Sequence, residues 1–350
     1  MSRRKRRTSS VATIVDIARL AQVSKMTVSR VMSGTGSASP ATRALVMEKA
    51  RILGYVPNLS ARQLVRGATP SIGVLYGPEM AHELGPVLIA TQRAAQRLGV
   101  RIVPCEVELI AGAARLRSLC NSLRAAIVVS PLSSRSEALL QQVEIPLVRI
   151  AVETAACSPC VRIDEFAAAC AITNELVSQG HHVLAFIDAA AAGRADDARR
   201  RGFEAAIAGH AQVQGVVADS VARSFHAGMQ ACGRLLDAHP RITAFVCSHD
   251  LLAAAAMLAA QRRGIDVPAQ LSVAGFGDHA IALRCSPELT TVRIPLAAMA
   301  ARALDMAVNP ATAAGESILP FEIVRRGSTG PRRPQIVKRR AAEAVVEETV

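Results

Sequence analysis

Apolar residues recur with a helical period near the start of the chain, and beyond residue 70 they gather into short runs separated by helical stretches. In residues 14–33, IVDIARLAQVSKMTVSRVMS, Ile14, Ile17, Ala18 and Ala21 fall at i, i+3, i+4 and i+7, one face of a short helix. Gln22-Val23-Ser24 breaks the pattern. Ser24 is a good N-cap for a second helix, because its hydroxyl can accept from a free backbone N–H. There Val28 and Val31 face inward, which leaves Lys25, Met26, Ser29 and Arg30 outward. Two short helices joined by a tight turn, the second with a polar and basic outer face, match a helix-turn-helix. An isolated pair would equally fit an ordinary helical hairpin; the flanking sequence turns the balance.

Gly34 to Pro40 is a loop by composition, and it lacks the third glycine and the preceding strand of a dinucleotide fingerprint. Ser39-Pro40 pairs an N-cap with proline at the first helical position. The helix it opens places Val46, Ala50 and Leu53 on one face and stops at Gly54. Next, Pro57 blocks continuation, Asn58 can cap a new helix, and Gly67 with Pro70 ends it. That helix is too short to hold alone and would order only against a partner.

From Ile72 onward strands alternate with helices. The first strand series is Ile72–Tyr76, Arg101–Cys105, Ala126–Ser130 and Leu147–Ala151; the second is Val183–Ile187, Val213–Ala218, Ala244–Cys247 and Ser272–Gly275. Leu84–Leu98, Phe166–Gln179 and Leu251–Arg262 are among the helical patterns between them. Such alternation builds parallel sheets covered by helices on both faces. The expected fold is an N-terminal all-α helix-turn-helix domain followed by two doubly wound α/β lobes, with a ligand cleft at the carboxyl ends of the strands. The expected boundaries are a basic arm at 1–10, a helix-turn-helix head at 11–57, a linker at 58–70, a two-lobed region at 71–330 and a charged, alanine-rich tail at 331–350.

Charge strengthens the first assignment. Residues 1–70 hold 13 Lys/Arg against Asp16 and Glu48, a net +11, whereas the other 280 residues hold 28 against 26, a net +2. A basic head on a nearly neutral body is the footprint of nucleic-acid binding confined to one end. The opening MSRRKRRTSS is followed by no apolar signal segment, and the longest apolar run, Leu251 to Ala260, is far short of a membrane span. The expectation is a cytoplasmic, nucleoid-associated protein with no membrane partner. The 8 cysteines suit that compartment as reduced thiols, and Cys157 and Cys160, a CxxC without a second pair, are read as incidental rather than as a metal or redox site. G-x-x-x-x-G-K-[ST], G-x-S-x-G and H-E-x-x-H do not occur, so no catalytic residue, cofactor or metal is expected.

Together IVDIARLAQVSKMTVSRVM, SPATR, LGYVPN and ARQLVRG resemble the LacI/GalR family of bacterial repressors, in register over nearly 60 residues. The resemblance implies a two-lobed, periplasmic-binding-protein-like body, with chain crossovers near Arg162–Asp164, Thr290–Pro295 and Leu319 and a return of 296–308 to the first lobe. It implies that 58–70 is a hinge and 71–330 an effector-binding and dimerisation region, in a homodimer on double-stranded operator DNA. Lys25 and Met26 would read bases, with Ser24, Thr27, Ser29 and Arg30 around them. Asn58, Ala61 and Leu64 would belong to a hinge helix, Leu64 wedging between base steps in the minor groove.

The same resemblance implies a small effector, a sugar or sugar acid. Arg199, Ser248-His249-Asp250 and Asp164 match effector-site positions, although Asp164 could equally be structural. Gly277 stands where many members have an aspartate that bonds sugar hydroxyls, and GPEMAHELGP replaces an aromatic N-P-F-F-type segment. Losing a carboxylate while keeping Arg199 and His249 predicts a more positive site and hence an anionic ligand. VSKMTVSR and GFGD resemble the gluconate-repressor branch, which makes gluconate the expected effector. The rivals are a sugar-binding protein or sugar enzyme and a constitutive DNA binder with a degenerate cleft.

Overall fold

The computed structural model describes residues 13–33, 38–53, 55, 69–78, 84–110, 112–129, 132–150, 159–189, 194–218, 222–309 and 315–332. Asn58, Ala61 and Leu64, residues 1–10, Cys157 and most of the tail lie outside them. The chain divides into two compact units, Met1–Val161 with Leu296–Ser317 and Arg162–Pro295 with Ile318–Val350.

Three helices open the first unit: α1 (Ile14–Ala21), α2 (Lys25–Ser33) and α3 (Pro40–Ile52). Their ends are fixed by local chemistry. The Thr13 backbone N–H and hydroxyl both donate to Asp16 Oδ2, at 3.0 and 2.7 Å, which anchors the start of α1. Gln22 closes α1 in the left-handed region (φ 53°). Ser39 accepts from the Thr42 N–H at 3.1 Å, with Pro40 in the first turn of α3. Ile17, Ala18, Ala21, Val28, Val31, Val46 and Ala50 form one buried cluster, so the apolar stripe of each helix meets those of the other two.

The same unit holds a six-stranded sheet in the order β11-β5-β4-β3-β1-β2. Its strands are β1 (Ser71–Tyr76), β2 (Arg101–Glu106), β3 (Ala125–Val129), β4 (Leu147–Ile150), β5 (Cys160–Ile163) and β11 (Glu316–Leu319). The helices α4 (Leu84–Leu98), α5 (Ala113–Cys120), α6 (Ser134–Leu140) and α11 (Leu296–Val308) belong to it, with α4 and α11 packed together. Leu75, Val107, Leu116, Ala126, Val128 and Leu140 make a core beneath α5 and α6.

The second unit repeats the design in the order β12-β10-β9-β8-β6-β7. It is built from β6 (Val183–Ile187), β7 (Gln214–Val217), β8 (Ala244–Cys247), β9 (Ser272–Gly277), β10 (Thr290–Arg293) and β12 (Glu322–Val324); β12 pairs antiparallel with β10, and β6–β7, β6–β8, β8–β9 and β9–β10 pair in parallel. On one face lie α9 (Phe225–Ala238) and α10 (Asp250–Gln261), over Cys232, Leu235, Phe245, Cys247, Leu252 and Ala256. The alanine-rich run of α10 is what allows this: a Cβ on Gly228 of α9 would sit 3.0 Å from Ala255 Cβ. A second helix pair, α7 (Glu165–Ser178) and α8 (Arg194–Ala208), also packs closely. At the opposite edge of the sheet the segment 326–332 is tied down. Ser328 Oγ donates to Val273 O and accepts from Thr290 N–H, and the buried His181 ring bridges Thr243 Oγ1 and Gly330 O at 3.0 and 3.1 Å.

All eight expected strands are present, with ends displaced by a few residues at most. The sequence pattern missed β5, β10, β11 and β12, short strands that each carry a charged side chain (Arg162, Arg293, Glu316 and Glu322) and so do not stand out as apolar runs.

Gly202 is the tightest constraint between α7 and α8. A methyl there would run into the Phe166 carbonyl oxygen and lie 2.9 Å from Ala169 Cβ. Gly202→Ala should therefore lower stability by about 1–3 kcal/mol despite alanine's better helix propensity. Chemical denaturation would measure it, and an unchanged or raised midpoint would show that the helices can part without cost.

Candidate functional site

The outward face of α2 begins at a cap. Ser24 Oγ accepts from the Thr27 N–H at 3.0 Å and lies 2.9 Å from Thr27 Oγ1, so these two hydroxyls first serve the helix start. Lys25, Met26, Ser29 and Arg30 are exposed, while Val28 and Val31 are buried. Met26 leaves 63% of its surface in water. Ser24 and Thr27 thus turn out to have a structural task alongside any contact to DNA.

A second polar cluster gathers at the carboxyl edge of the sheet in the second unit. Ser248-His249-Asp250 follow β8, Asp278-His279 follow Gly277 at the end of β9, and Arg199 on α8 and Glu165 at the start of α7 reach in, with Asp164 just before α7. Asp164 caps α7, its Oδ1 accepting from the Ala167 N–H at 2.9 Å, so of its two readings the structural one is realised. Arg199 is 5% exposed. Its Nε donates to Glu165 Oε2 at 2.8 Å, its Nη1 to Ser248 O at 2.6 Å, and the guanidinium lies 4.1 Å from the centroid of the Phe276 ring.

His249 is buried and neutral. Burial drives its imidazole well below the ordinary histidine range, and the positive charges of Arg199, Arg223 and His279 act in the same direction. Its Nε2 lies 3.2 Å from Arg199 Nη1, which has only protons to offer, so Nε2 accepts; Nδ1 then faces Ser248 Oγ at 3.0 Å as a donor. Ser248 Oγ also accepts from the Ala189 N–H at 3.0 Å, tying the end of β8 to the end of β6.

Asp250 has no exposed surface. Oδ1 accepts from Thr291 Oγ1 at 2.5 Å and Oδ2 from the His279 N–H at 2.7 Å, with His279 Nδ1 at 3.3 Å. It holds the loop after β9 and has no surface of its own for a ligand. Asp278 is shared by Arg293 at 2.7 Å and Arg326 at 2.6 Å. Burial acts to raise its carboxyl, but the hydrogen bonds from the two arginines outweigh that and keep it below the ordinary range.

The arginine expected to make the site positive has a partner. Arg199 is matched by Glu165, Asp278 lies between Arg293 and Arg326, and the charge of Arg223 also acts on His249. Sequence reasoning missed Glu165 and His279. A signal for the first was available, since a buried arginine needs an anion and Glu165 sits in the first turn of a helix. Gly277 is also more than a lost aspartate. Its φ is 131°, and a Cβ there would collide with the His279 ring, so the histidine occupies the space that a side chain at 277 would need.

Comparison with known proteins fits both sites. A family model described as bacterial regulatory proteins, lacI family, matches residues 13–58, and one described as a periplasmic binding protein-like domain matches residues 173–329. The HTH-type transcriptional regulator GalS of Salmonella typhimurium is 31% identical over 312 residues, covering 85% of this chain and 90% of that protein. The chain belongs to the lacI family of bacterial regulatory proteins. It is a DNA-binding transcriptional regulator with an effector-binding domain. Among solved structures, the lac repressor dimer bound to operator and the anti-inducer ONPF superimposes with a TM-score of 0.67 at 24% identity, covering 92% of this LacI-family chain and 100% of that one. The CelR–cellobiose complex does so at 0.65 and 22%, covering 91% and 99%. These two show the shared fold. Among the described residues no helix is long and apolar enough to cross a membrane, and no group of three His, Cys, Asp or Glu could hold a metal ion.

Two outcomes follow for this regulator. Glu165→Gln leaves the buried Arg199 without its anion and should cost on the order of 3–5 kcal/mol, whereas Glu165→Leu with Arg199→Met should recover much of that. Urea titration of the three variants checks it, and equal losses for the single and double changes would refute the pairing. Because His249 is neutral in the fold, its contribution is complete above the ordinary value of 6.5 and is lost as pH falls below it, where the unfolded chain gains a proton first. Burial lowers the His181 ring as well. The melting temperature should therefore drop as the pH falls below the ordinary histidine value of 6.5, less steeply in His249→Asn; an identical slope in that variant would count against a buried neutral ring.

Proposed function

We propose that two copies of this regulator act together as a repressor on a pseudo-palindromic operator, each head entering one major groove. The observation that carries this reading is the outer face of α2, exposed and basic, with a methionine left in water and the apolar positions turned inward. Lys25 donates to guanine O6 or N7, and Met26 packs on a thymine methyl. Ser24, Thr27, Ser29 and Arg30 hold phosphates, which position without specifying. Residues 1–10 add a basic arm, and Asn58, Ala61 and Leu64 belong to a hinge at 58–70 that enters the minor groove. The lac repressor's solved form as a dimer on operator supports this arrangement. The regulator works at the nucleoid, in the cytoplasm.

The effector is a small polyhydroxylated molecule held at the carboxyl edge of the second sheet by the Arg199, His249 and His279 cluster. The sugar-acid expectation, gluconate or a close relative, rested on the resemblance to the gluconate-repressor branch and on an unmatched positive charge, and the Glu165–Arg199 pair supplies a match for that charge. A neutral sugar fits better, in keeping with the cellobiose bound by CelR. The effector binds one arrangement of the regulator better than the other, and by linkage operator DNA changes effector affinity by the same factor.

Calorimetry with neutral saccharides and with gluconate separates the two ligand classes: heat from gluconate alone would restore the sugar acid. Leu64→Ala should lose about 1–3 kcal/mol of operator affinity while most salt-sensitive binding to random DNA persists. Equal losses on both DNAs would remove the minor-groove role.

A further inference from the structure

We propose that His181 is a proton-operated latch on the strap 326–332: when its ring takes up a proton, residues 330–332 leave the amino-terminal edge of the second sheet. Residues 333–350 follow the strap directly in the chain, so the latch fixes or frees the point from which they start.

The strap is anchored in two places, by different chemistry. Its first half is tied by groups that do not titrate. Ser328 is buried; its Oγ donates to Val273 O at 2.6 Å and accepts from the Thr290 N–H at 2.8 Å. The Ser328 carbonyl accepts from the Val273 N–H at 2.9 Å, and Thr329 Oγ1 lies 2.9 Å from Thr290 Oγ1. The second half depends on the histidine. The Gly330 N–H donates to Ser272 Oγ at 3.1 Å and the Arg332 N–H to Gln179 O at 2.9 Å, while the Gly330 carbonyl faces His181 Nε2 at 3.1 Å. Pro331 and Arg332 are exposed, whereas His181 keeps only 2% of its surface in water. One side of the ring is therefore covered by a single stretch of chain and the other by the sheet.

The ring is satisfied only while neutral. A carbonyl can only accept, so Nε2 carries the proton, and Nδ1 accepts from Thr243 Oγ1 at 3.0 Å. A second proton has to go on Nδ1. Thr243 must then turn its hydroxyl proton away, and its other acceptor, Val183 O, lies 3.5 Å off. The charge is also badly placed. Burial opposes it most, and Arg332 of the strap and His182 beside the ring add to that, which holds the ring below the ordinary histidine range. The other elements around it bring Thr243, just before β8, and Ser272, the first residue of β9. Glu175 and Asp278 are already held by Arg325 and Arg326. Departure of 330–332 lets water reach the imidazolium and takes Arg332 away from it.

The sign follows from the two ring states. Above the ordinary value of 6.5 the ring is neutral whether the strap is closed or open, and closure is fully stable. Below it the open ring is protonated first, and opening gains up to about tenfold per pH unit until the closed ring titrates too.

The experiment uses the full chain between about pH 7.5 and about pH 5. Deuterium uptake of single amides, corrected for the intrinsic pH dependence of exchange, follows Gly330 and Arg332 on the strap and Val273 and Thr290 on the sheet. Gly330 and Arg332 should lose protection by about tenfold per pH unit in acid, with Val273 and Thr290 unchanged. His181→Gln can donate to the Gly330 carbonyl and accept from Thr243 without titrating, so its strap should stay closed throughout. In the wild type the His181 ring signals in proton–carbon spectra should titrate together with the loss of protection. A pH-independent strap in the wild type overturns the proposal, as does the same pH dependence in His181→Gln. Opening with the ring still unprotonated overturns it without recourse to a variant. Loss of all four amides together does so as well, because the strap then has no release of its own.

Discussion

A guanidinium buried to the extent of Arg199 is tolerable only beside an anion, and the effector domain is arranged around meeting that requirement with Glu165. The pair joins α7 to α8, which can approach closely because position 202 carries no side chain. Once Arg199 is fixed, its second nitrogen sets the loop after β8 through the Ser248 carbonyl and the His249 ring. That ring faces Ser248 Oγ, and Ser248 Oγ holds the end of β6. Phe276 beneath the guanidinium brings in β9. One ion pair thus determines how the ends of three strands are presented. Its own net stabilisation can be small, since desolvation cancels most of the attraction; its consequence is that neither partner can be removed alone.

Much of this fold is legible in the chain. Strands covered on both faces read as continuous apolar runs, so β3, β6 and β8 stand out, and helices such as α4 show their period over four turns. The head is legible for another reason: Ser24, Ser39 and Pro40 announce helix starts, and the three apolar stripes have nowhere to go except against each other. The four missed strands are short and each is interrupted by a charged side chain, unlike the equally short but wholly apolar β8. The positive site was read by adding charges position by position, and that sum could not include Glu165, which lies 34 residues from Arg199 in the chain and beside it in space. His279 was missed similarly, since its significance comes from a glycine two residues earlier and an aspartate 29 residues earlier.

The two functional surfaces use opposite physical means. On α2 the informative side chains are exposed, and their readiness lies in a capped helix that presents them at fixed spacing. At the sheet edge they are buried and committed to one another, so rigidity takes the place of reach. Exposure of a large apolar side chain such as Met26 and burial of polar ones such as Arg199 and Asp250 are the same kind of anomaly. Each departs from where the residue type ordinarily lies.

The pairing of Arg199 with Glu165 in the proposed effector site limits how a ligand would act from it. Moving a two-state protein from one arrangement almost wholly to the other takes roughly 5.5 kcal/mol of differential binding. A single charge–charge contact could supply much of that in a buried site, but Arg199 already has its carboxylate, and a second anion would compete with Glu165 rather than add to it. Neutral hydrogen bonds contribute about 0.5–1.5 kcal/mol each. Several must then form in one arrangement and not in the other, which a molecule bearing many hydroxyls can do and a small anion cannot. The charge pairing that makes the site rigid therefore also selects the kind of molecule able to switch it.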